Sequence, residues 1–466
     1  MKMWSGRFRR PLDPEFERWQ RSFDFDQRLL RYELAASFAH ARALKNAGVL
    51  SSDELISILE GLRQIGRETA SAEPIEDSEI EDVHHYVEQQ LVSLVGDLGY
   101  KLHSGHSRNE QIATDLRLYV RAAIDELRSQ LAELCDAFLS RAGQAGSFAM
   151  PAYTHLQHAE PMLVAHWLLA YVEMFLRDAD RLADCRKRVN FCPLGSGAVA
   201  GATLALDRAF IANELDFTAP TNNSVDAVSD RDFVLEFVNV LSLLALHLSR
   251  WAEEMILFSS QEFGFILLPE AYSTGSSAMP QKKNPDLLEL VRGKTGRVIG
   301  AATALAVTLK GLPLAYNKDL QETQEPLFSA TDTVLALLPL LTGFMKTVEF
   351  EYARMNVAAQ SGFMNAWAAA TYLVNHGVPS RLAHEQIGKV VKLCLEKQCE
   401  LQGLTLDELR TLNPAFDESF YKCLKLNSVL AIHDVIGGTA PERVRQALAV
   451  AKKKIESLRE EVHAHA

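Results

Sequence analysis

Leu116-Arg117-Leu118-Tyr119-Val120-Arg121-Ala122-Ala123-Ile124-Asp125-Glu126-Leu127-Arg128-Ser129-Gln130-Leu131-Ala132-Glu133-Leu134-Cys135-Asp136-Ala137-Phe138 places an apolar side chain at every third or fourth position. Leu116, Val120, Ile124, Leu127, Leu131, Leu134 and Phe138 form the series, and Arg121, Asp125, Arg128 and Glu133 fall largely between them. Steps of three and four keep a stripe on one face of an α-helix, whereas a half-buried strand needs alternation. The stretch therefore predicts a long amphipathic helix.

The same period recurs outward along the chain. From Asp232 to Phe258 nearly every side of the segment is apolar, as in a helix sheathed by other helices. A further segment runs from Asn284-Pro285 to Lys310 and stops before Gly311-Leu312-Pro313. Asn suits a helix cap, Pro the first helical position, and Gly-x-Pro a stop. Alternating strand patterns are nearly absent, so the expected class is all-α. Helices this long gain most of their stability from packing partners, which predicts a bundle assembled across subunits.

Composition bounds the function. A chain of 466 residues with 48% hydrophobic and 23% charged residues is a globular protein of more than one domain. Its net charge of −12 opposes binding to nucleic acid or an anionic membrane. An anionic substrate would need a local basic cluster, and Lys282, Lys283, Arg292 and Lys294 offer one unless they are only a solvated helix face. Six scattered cysteines without a Cys-x-x-Cys pair suggest reduced thiols and a cytoplasmic protein. The N-terminus lacks the apolar core of a secretory signal, and Val234–Leu248 reads as too short to span a bilayer.

Two composition shifts divide the chain. The Gly/His/Ser stretch 101–108 ends a part built of shorter helices, and shorter segments resume after 343–351. The expected domains are 1–107, 108–360 and 361–466. The charged tail from Lys452 to His465 reads as a frayed helix end.

Four polar islands interrupt the helical pattern. Lys101-Leu102-His103-Ser104-Gly105-His106-Ser107-Arg108-Asn109-Glu110 sets Arg and Asn at a helix start, which suits a carboxylate ligand, or is a polar cap and nothing more. His103 and His106 raise a metal site, but no nearby carboxylate or cysteine in the sequence completes it, and no metal is expected. Pro151-Ala152-Tyr153-Thr154-His155-Leu156-Gln157-His158 puts two imidazoles between apolar helices, as proton-transfer groups or as buried structural histidines. Ser229-Asp230-Arg231-Asp232 opens the most apolar helix; Arg231 there opposes the helix dipole unless Asp230 or Asp232 pairs with it. Ser273-Thr274-Gly275-Ser276-Ser277-Ala278-Met279-Pro280-Gln281-Lys282-Lys283-Asn284-Pro285 converges hydroxyls, N–H groups and ammonium charge on a helix start. Such a set stabilises a developing carboxylate dianion.

Gly275 through Pro285 resembles the signature loop of the fumarase/aspartase superfamily, and its Gln281-Lys282-Lys283-Asn284-Pro285-Asp286 form resembles that of the argininosuccinate lyase family. Tyr153-Thr154-His155-Leu156-Gln157, Pro193-Leu194-Gly195-Ser196-Gly197-Ala198, and Gly311-Leu312-Pro313 through Tyr316-Asn317-Lys318-Asp319-Leu320-Gln321-Glu322 carry the likeness further. It runs from Trp4-Ser5-Gly6-Arg7-Phe8 to Gly437-Gly438-Thr439.

The resemblance implies a three-domain fold, a homotetramer with a central helical bundle, and active sites where three subunits meet. It also implies cofactor-independent elimination of argininosuccinate to arginine and fumarate. By resemblance Ser276 is the base, Lys282 and Asn284 hold the aci-carboxylate, His155 is the general acid or its positioner, and Glu289 fixes that imidazole. Ser22, His84, Arg108, Asn109, Thr154, Ser277, Tyr316 and Gln321 fall in the substrate-binding set. A serine hydroxyl is a poor base, so it needs loop N–H groups and Lys282 to stabilise its alkoxide. The chain departs from the family at His106 (commonly Arg), Glu110 (commonly Asp) and Gln324 (commonly Lys), which bears on affinity for the substrate. The alternatives are another fumarate-releasing lyase of the superfamily, or a catalytically silent homologue of the lens-crystallin kind.

Overall fold

The computed structural model describes residues 10–70, 74–76 and 79–464. Trp4-Ser5-Gly6-Arg7-Phe8 and His465 lie outside the described residues. The principal helices are α1 (Leu30–Asn46), α2 (Ser52–Glu68), α3 (Val83–Val95), α4 (Arg108–Ala145), α5 (Val164–Val189), α6 (Asp232–Ser259), α7 (Asp286–Leu309), α8 (Gln324–Thr347), α9 (Ser380–Lys397) and α10 (Pro441–His463). Among the described residues, strands form only two-stranded pairs. Two of these pairs matter here: β1 (Ala149–Thr154) with β2 (Gln157–Leu163), and β3 (Thr274–Gly275) with β4 (Lys283–Asn284). The all-α expectation holds.

Helix α4 has 38 residues and is about 57 Å long at 1.5 Å per residue. Each of the seven apolar positions from Leu116 to Phe138 is buried, as their spacing predicts. Arg117 and Arg128 are buried as well, so the helix is covered on more than its apolar stripe.

The chain divides into two compact units. The first comprises residues 1–126, 181–242 and 296–334. In it Phe23 stacks on Tyr86 with ring centroids 5.3 Å apart, and Tyr119 meets Phe328 edge-on at 5.1 Å. Arg117 is spent there on structure: it donates to the carbonyls of Arg188 (3.2 Å) and Val189 (3.0 Å), pairs with Asp230, and lies over Phe233.

The second unit comprises residues 127–180, 243–295 and 335–466. Phe138, Phe175, Trp251 and Phe344 interlock edge-on at 5.5–5.8 Å. A separate apolar cluster, built from Ala369, Leu373, Ile387, Leu409, Phe416 and Phe420 among others, lies wholly within residues 363–424.

Three expectations change. Helix α10 is packed, not frayed: Ala451, Ile455, Leu458 and Val462 repeat at helical steps and are buried, while Glu461 pairs with Arg128 at 2.5 Å. Asn284 does not cap α7; it belongs to β4, and its amide donates to Thr274 Oγ1 (3.3 Å) and the Gly275 carbonyl (3.5 Å). The length argument against a membrane span also fails. Helix α6 has 28 residues, and it and the segment Lys318–Thr347 are long and apolar enough to cross a bilayer. Helix α6 nevertheless carries His247, which pairs with the buried Asp178 at 2.7 Å. Leu243 and Leu246 on α6, Leu290, Ile299 and Val307 on α7, and Leu340 on α8 are exposed in the isolated chain.

Candidate active site

The expected site residues fall into two sets, one in each unit. In the first unit, Ser22, Arg108, Tyr316 and Gln321 gather around the segment Glu81–His84. The Ser22 N–H donates to the Glu81 carbonyl (3.0 Å), and its hydroxyl donates to Asp26 (2.6 Å). Arg108 opens α4 and reaches Asp82 (3.0 Å) and Glu81 (3.5 Å), while Lys318 approaches Glu81 at 3.8 Å. Gln321 donates to the Gln20 carbonyl at 3.1 Å.

Burial opposes ionisation of Asp82, but Arg108, then His84 and the His85 N–H, outweigh it and hold this carboxyl below its usual range. Arg108 is therefore already paired with an anion. Glu81 and Asp82 are functional neighbours that sequence reasoning missed; the only local signal was the acidic run ending at Asp82, which caps α3 through the His85 N–H at 2.8 Å.

Asn109 donates to the Ala198 carbonyl at 3.1 Å. A cleft of about 560 Å³ lies here, walled by Gly105–Arg108 and Gly197–Thr203. Gly197 takes φ +60°, and a Cβ there would meet the Gly201 carbonyl oxygen at 2.7 Å, so only glycine fits. Glu110 accepts from the Ser107 N–H (3.0 Å) and the Gly197 N–H (2.9 Å), which pins this glycine turn to the start of α4. Its carboxyl group thus braces the cleft, and burial pushes its pKa up to about 7.

The expectation that Asp230 or Asp232 pairs with Arg231 is corrected. Asp230 is engaged by Arg117 and by the Asp232 N–H, and Arg231 donates only to the Asp230 backbone carbonyl. Its Nε and Nη2 are buried and have no hydrogen-bond partner among the described residues. Burial lowers the Arg231 pKa to about 10, partly offset by Tyr316. Ala315, just before Tyr316, takes φ +67°, a left-handed conformation that costs a residue with a Cβ and is held by its surroundings.

The second unit carries Thr154, His155, Ser276, Ser277, Lys282, Asn284 and Glu289. His155 and His158 are neither helical nor buried: they lie on the β1–β2 hairpin, where Tyr153 pairs with His158 and Thr154 with Gln157. His155 (φ 56°) and Leu156 (φ 58°) form its tip. Two consecutive positive φ values match the twist of a tight hairpin, at a steric cost for two non-glycine residues. The result is a rigid arm holding an exposed imidazole.

The Ser/Gly loop is a second hairpin. Strands β3 and β4 pair Thr274 with Asn284 and Gly275 with Lys283, and Asp286 accepts from both the N–H (3.1 Å) and the hydroxyl (2.6 Å) of Thr274. At its turn Ser276 Oγ accepts from the N–H groups of Ala278 (3.3 Å) and Met279 (3.1 Å). Two N–H donors on one oxygen favour its anionic form. Lys283 donates to the Leu268 carbonyl (2.6 Å) and Arg292 pairs with Glu253 (2.6 Å), so the expected basic cluster is partly consumed by structure. Lys282, next to Lys283 on the same hairpin, stays exposed. Glu289 is exposed and lies 3.9 Å from Arg292; among the described residues no hydrogen bond joins it to His155.

Residues 6–300 match a family described as Lyase, and residues 363–431 match one described as Argininosuccinate lyase C-terminal. The argininosuccinate lyase of Koribacter versatilis (strain Ellin345) is 60% identical over 466 residues, covering 100% of both chains. That of Acidobacterium capsulatum is 58% identical over 460 residues, covering 97% of this chain and 95% of its own. Among solved structures, EDDS lyase in complex with formate superposes with a TM-score of 0.84 at 24% identity, over 94% of this chain and 88% of that one. The class II fumarase from Schistosoma mansoni gives 0.74 at 17% identity, over 86% and 91%. At these identities the two structures speak for the fold.

Proposed function

The chain belongs to the argininosuccinate lyase family, and from that premise we propose how its residues divide the elimination of argininosuccinate into arginine and fumarate. Ser276 Oγ, as the alkoxide, removes a proton from the succinyl carbon beside a carboxylate. The electron pair moves into that carboxylate, and the resulting dianion is held by the Lys282 ammonium and the Asn284 amide. Collapse of the dianion breaks the C–N bond, and the leaving guanidino nitrogen takes a proton from His155. Glu289 orients that imidazole, Thr154, Ser277, Ser22, Arg108, Asn109, Tyr316 and Gln321 hold the substrate, and His84, buried and held by Glu33 at 3.0 Å, supports this set from within the helices.

The observation that carries this reading is the pair of N–H donors on Ser276 Oγ, within a hairpin clamped by Asp286. They stabilise negative charge on an oxygen that is otherwise a very weak base. The long Asn284 contacts, at 3.3 and 3.5 Å, are readily exchanged for a carboxylate oxygen.

We also propose a homotetramer whose sites are completed by three subunits. The exposed apolar side chains on α6, α7 and α8 support it, because large apolar side chains left in water favour a covering partner. The exposed His155, Lys282 and Glu289 fit residues that meet their partners on another copy. A C-terminal domain over 361–466 fits the self-contained apolar cluster of residues 363–424, and the boundary at 107/108 falls at the start of α4. An arginine-forming role in the cytoplasm accords with six free cysteines.

The test is to follow fumarate by its ultraviolet absorbance with argininosuccinate, and with adenylosuccinate as the control. Fumarate and arginine in equal amounts from argininosuccinate alone are expected. Ser276→Ala should lower kcat by about 10²–10⁴ while KM changes little. Near-normal turnover in that variant would assign the base to another group.

A further inference from the structure

We propose that Glu33, His84 and Asp115 form a buried site for a single divalent first-row cation such as Zn²⁺. The three ligands come from three helices, α1, α3 and α4, far apart in sequence. One donor atom from each lies within 4.8 Å of the others. His84 Nδ1 stands 3.0 Å from Glu33 Oε2 and 3.8 Å from Asp115 Oδ2. A cation bound at roughly 2.0–2.2 Å sets neighbouring donors about 3.0 Å apart at a right angle and about 3.5 Å apart at a tetrahedral one. The observed separations bracket those values, so small side-chain shifts close the site.

Two carboxylates around one imidazole leave a place for a further positive centre. Asp115 is 0% exposed, its carboxyl faces that of Glu33, and among the described residues no N–H or hydroxyl group donates to either of its oxygens. Glu33, at 2% exposure, is already an acceptor for Ser37 and Gln111, both at 3.0 Å. Two buried carboxylates side by side repel, and each must be protonated, paired or metal-bound. The Arg108 guanidinium is taken by Asp82 and Glu81. One imidazole with two carboxylates is a borderline donor set that suits Zn²⁺ and its neighbours.

A path leads to it. A cavity of about 20 Å³ beside the triad is walled by Glu33, His84, Glu88, His103, His106 and Gln111. That volume holds one water-sized occupant. His103 and Glu88 are partly exposed at its outer end, and His103 Nδ1 lies 3.2 Å from His106 Nε2. The histidine pair that sequence spacing raised as a metal site thus stands at the entrance, and the carboxylates it lacked come from α1 and α4. An ion here ties α1 and α3 to the helix that begins with Arg108 and Asn109, so it braces the substrate-binding end of α4.

The experiment needs no turnover. Purified protein is dialysed against EDTA, then titrated with ZnSO4 by calorimetry, with metal content and Tm measured in parallel. One Zn²⁺ per chain and a raised Tm are expected. Asp115→Asn and Glu33→Gln, checked for native circular dichroism, should each weaken that binding at least tenfold, and Glu88→Gln should leave the stoichiometry at one. Absence of any bound Zn²⁺ in the wild-type protein would overturn the proposal and assign the triad to a shared proton. Equal binding by wild type and a folded Asp115→Asn or Glu33→Gln would overturn it too, by assigning the ion to surface histidines.

Discussion

Acidification should destabilise the protein through His40, and the size of the effect follows from its surroundings. His40 is 1% exposed, its Nε2 lies 3.0 Å from the Ser104 carbonyl, and its ring stacks on His106 at 4.2 Å. Burial, opposed in part by the Ser104 carbonyl and Glu33, lowers its pKa to about 4. Because the folded value is below the unfolded one, near 6.5, stability is complete above pH 6.5 and is lost as pH falls toward 4. Integrating the linkage gives a loss of about 2 kcal/mol between pH 7.5 and 5.0, and about 3.4 kcal/mol once pH is below 4. His84 acts in the other direction: burial disfavours its charge, but Glu33 outweighs burial and raises its pKa. The assay is therefore differential. Urea titrations of wild type and His40→Gln, which keeps a donor for Ser104, are compared at pH 7.5 and 5.0. The wild-type protein should lose about 2 kcal/mol more than the variant. Parallel losses would refute the reasoning and mean that His40 is already solvated or charged in the native state.

Arg117→Met should cost about 3–5 kcal/mol of unfolding free energy in the same urea assay, since it strands Asp230 and two backbone carbonyls. A loss under 1 kcal/mol would show that solvent satisfies those groups. Gln324 stands where the sequence resemblance implies Lys; it is buried, and among the described residues its Oε1 has no partner. Gln324→Lys should lower KM for argininosuccinate by about tenfold, the worth of one charge-assisted hydrogen bond. An unchanged KM would mean that the substrate does not reach this position.

Local information was enough to establish the helical class and to point to the loop that carries Ser276. Hydrophobic period is a property of neighbouring residues, so Leu116 to Phe138 announced α4 without reference to anything distant. The chemistry of the Gly275–Pro285 run was likewise legible from residue types packed into a dozen positions. What sequence could not supply was the conformation of short polar segments and the partners of buried charges. His155 and His158 share a spacing that suits a helix, yet strand pairing and two left-handed residues put them on a hairpin. Asn284 reads as a cap, but the β3–β4 ladder takes its amide. The charged tail from Lys452 reads as a frayed helix end, and only the burial of Ile455, Leu458 and Val462 decides otherwise.

Buried electrostatics show the same division most sharply. Arg231 sits between two aspartates in sequence and bonds to neither carboxylate, because Arg117, 113 positions away from Asp230, claims the nearer one. Glu33, His84 and Asp115 share no local motif at all and meet only because three helices cross at one level. Periodicity and turn chemistry act over a few residues and are written in order along the chain. Charge pairing and desolvation depend on distances in space, which only the folded chain defines.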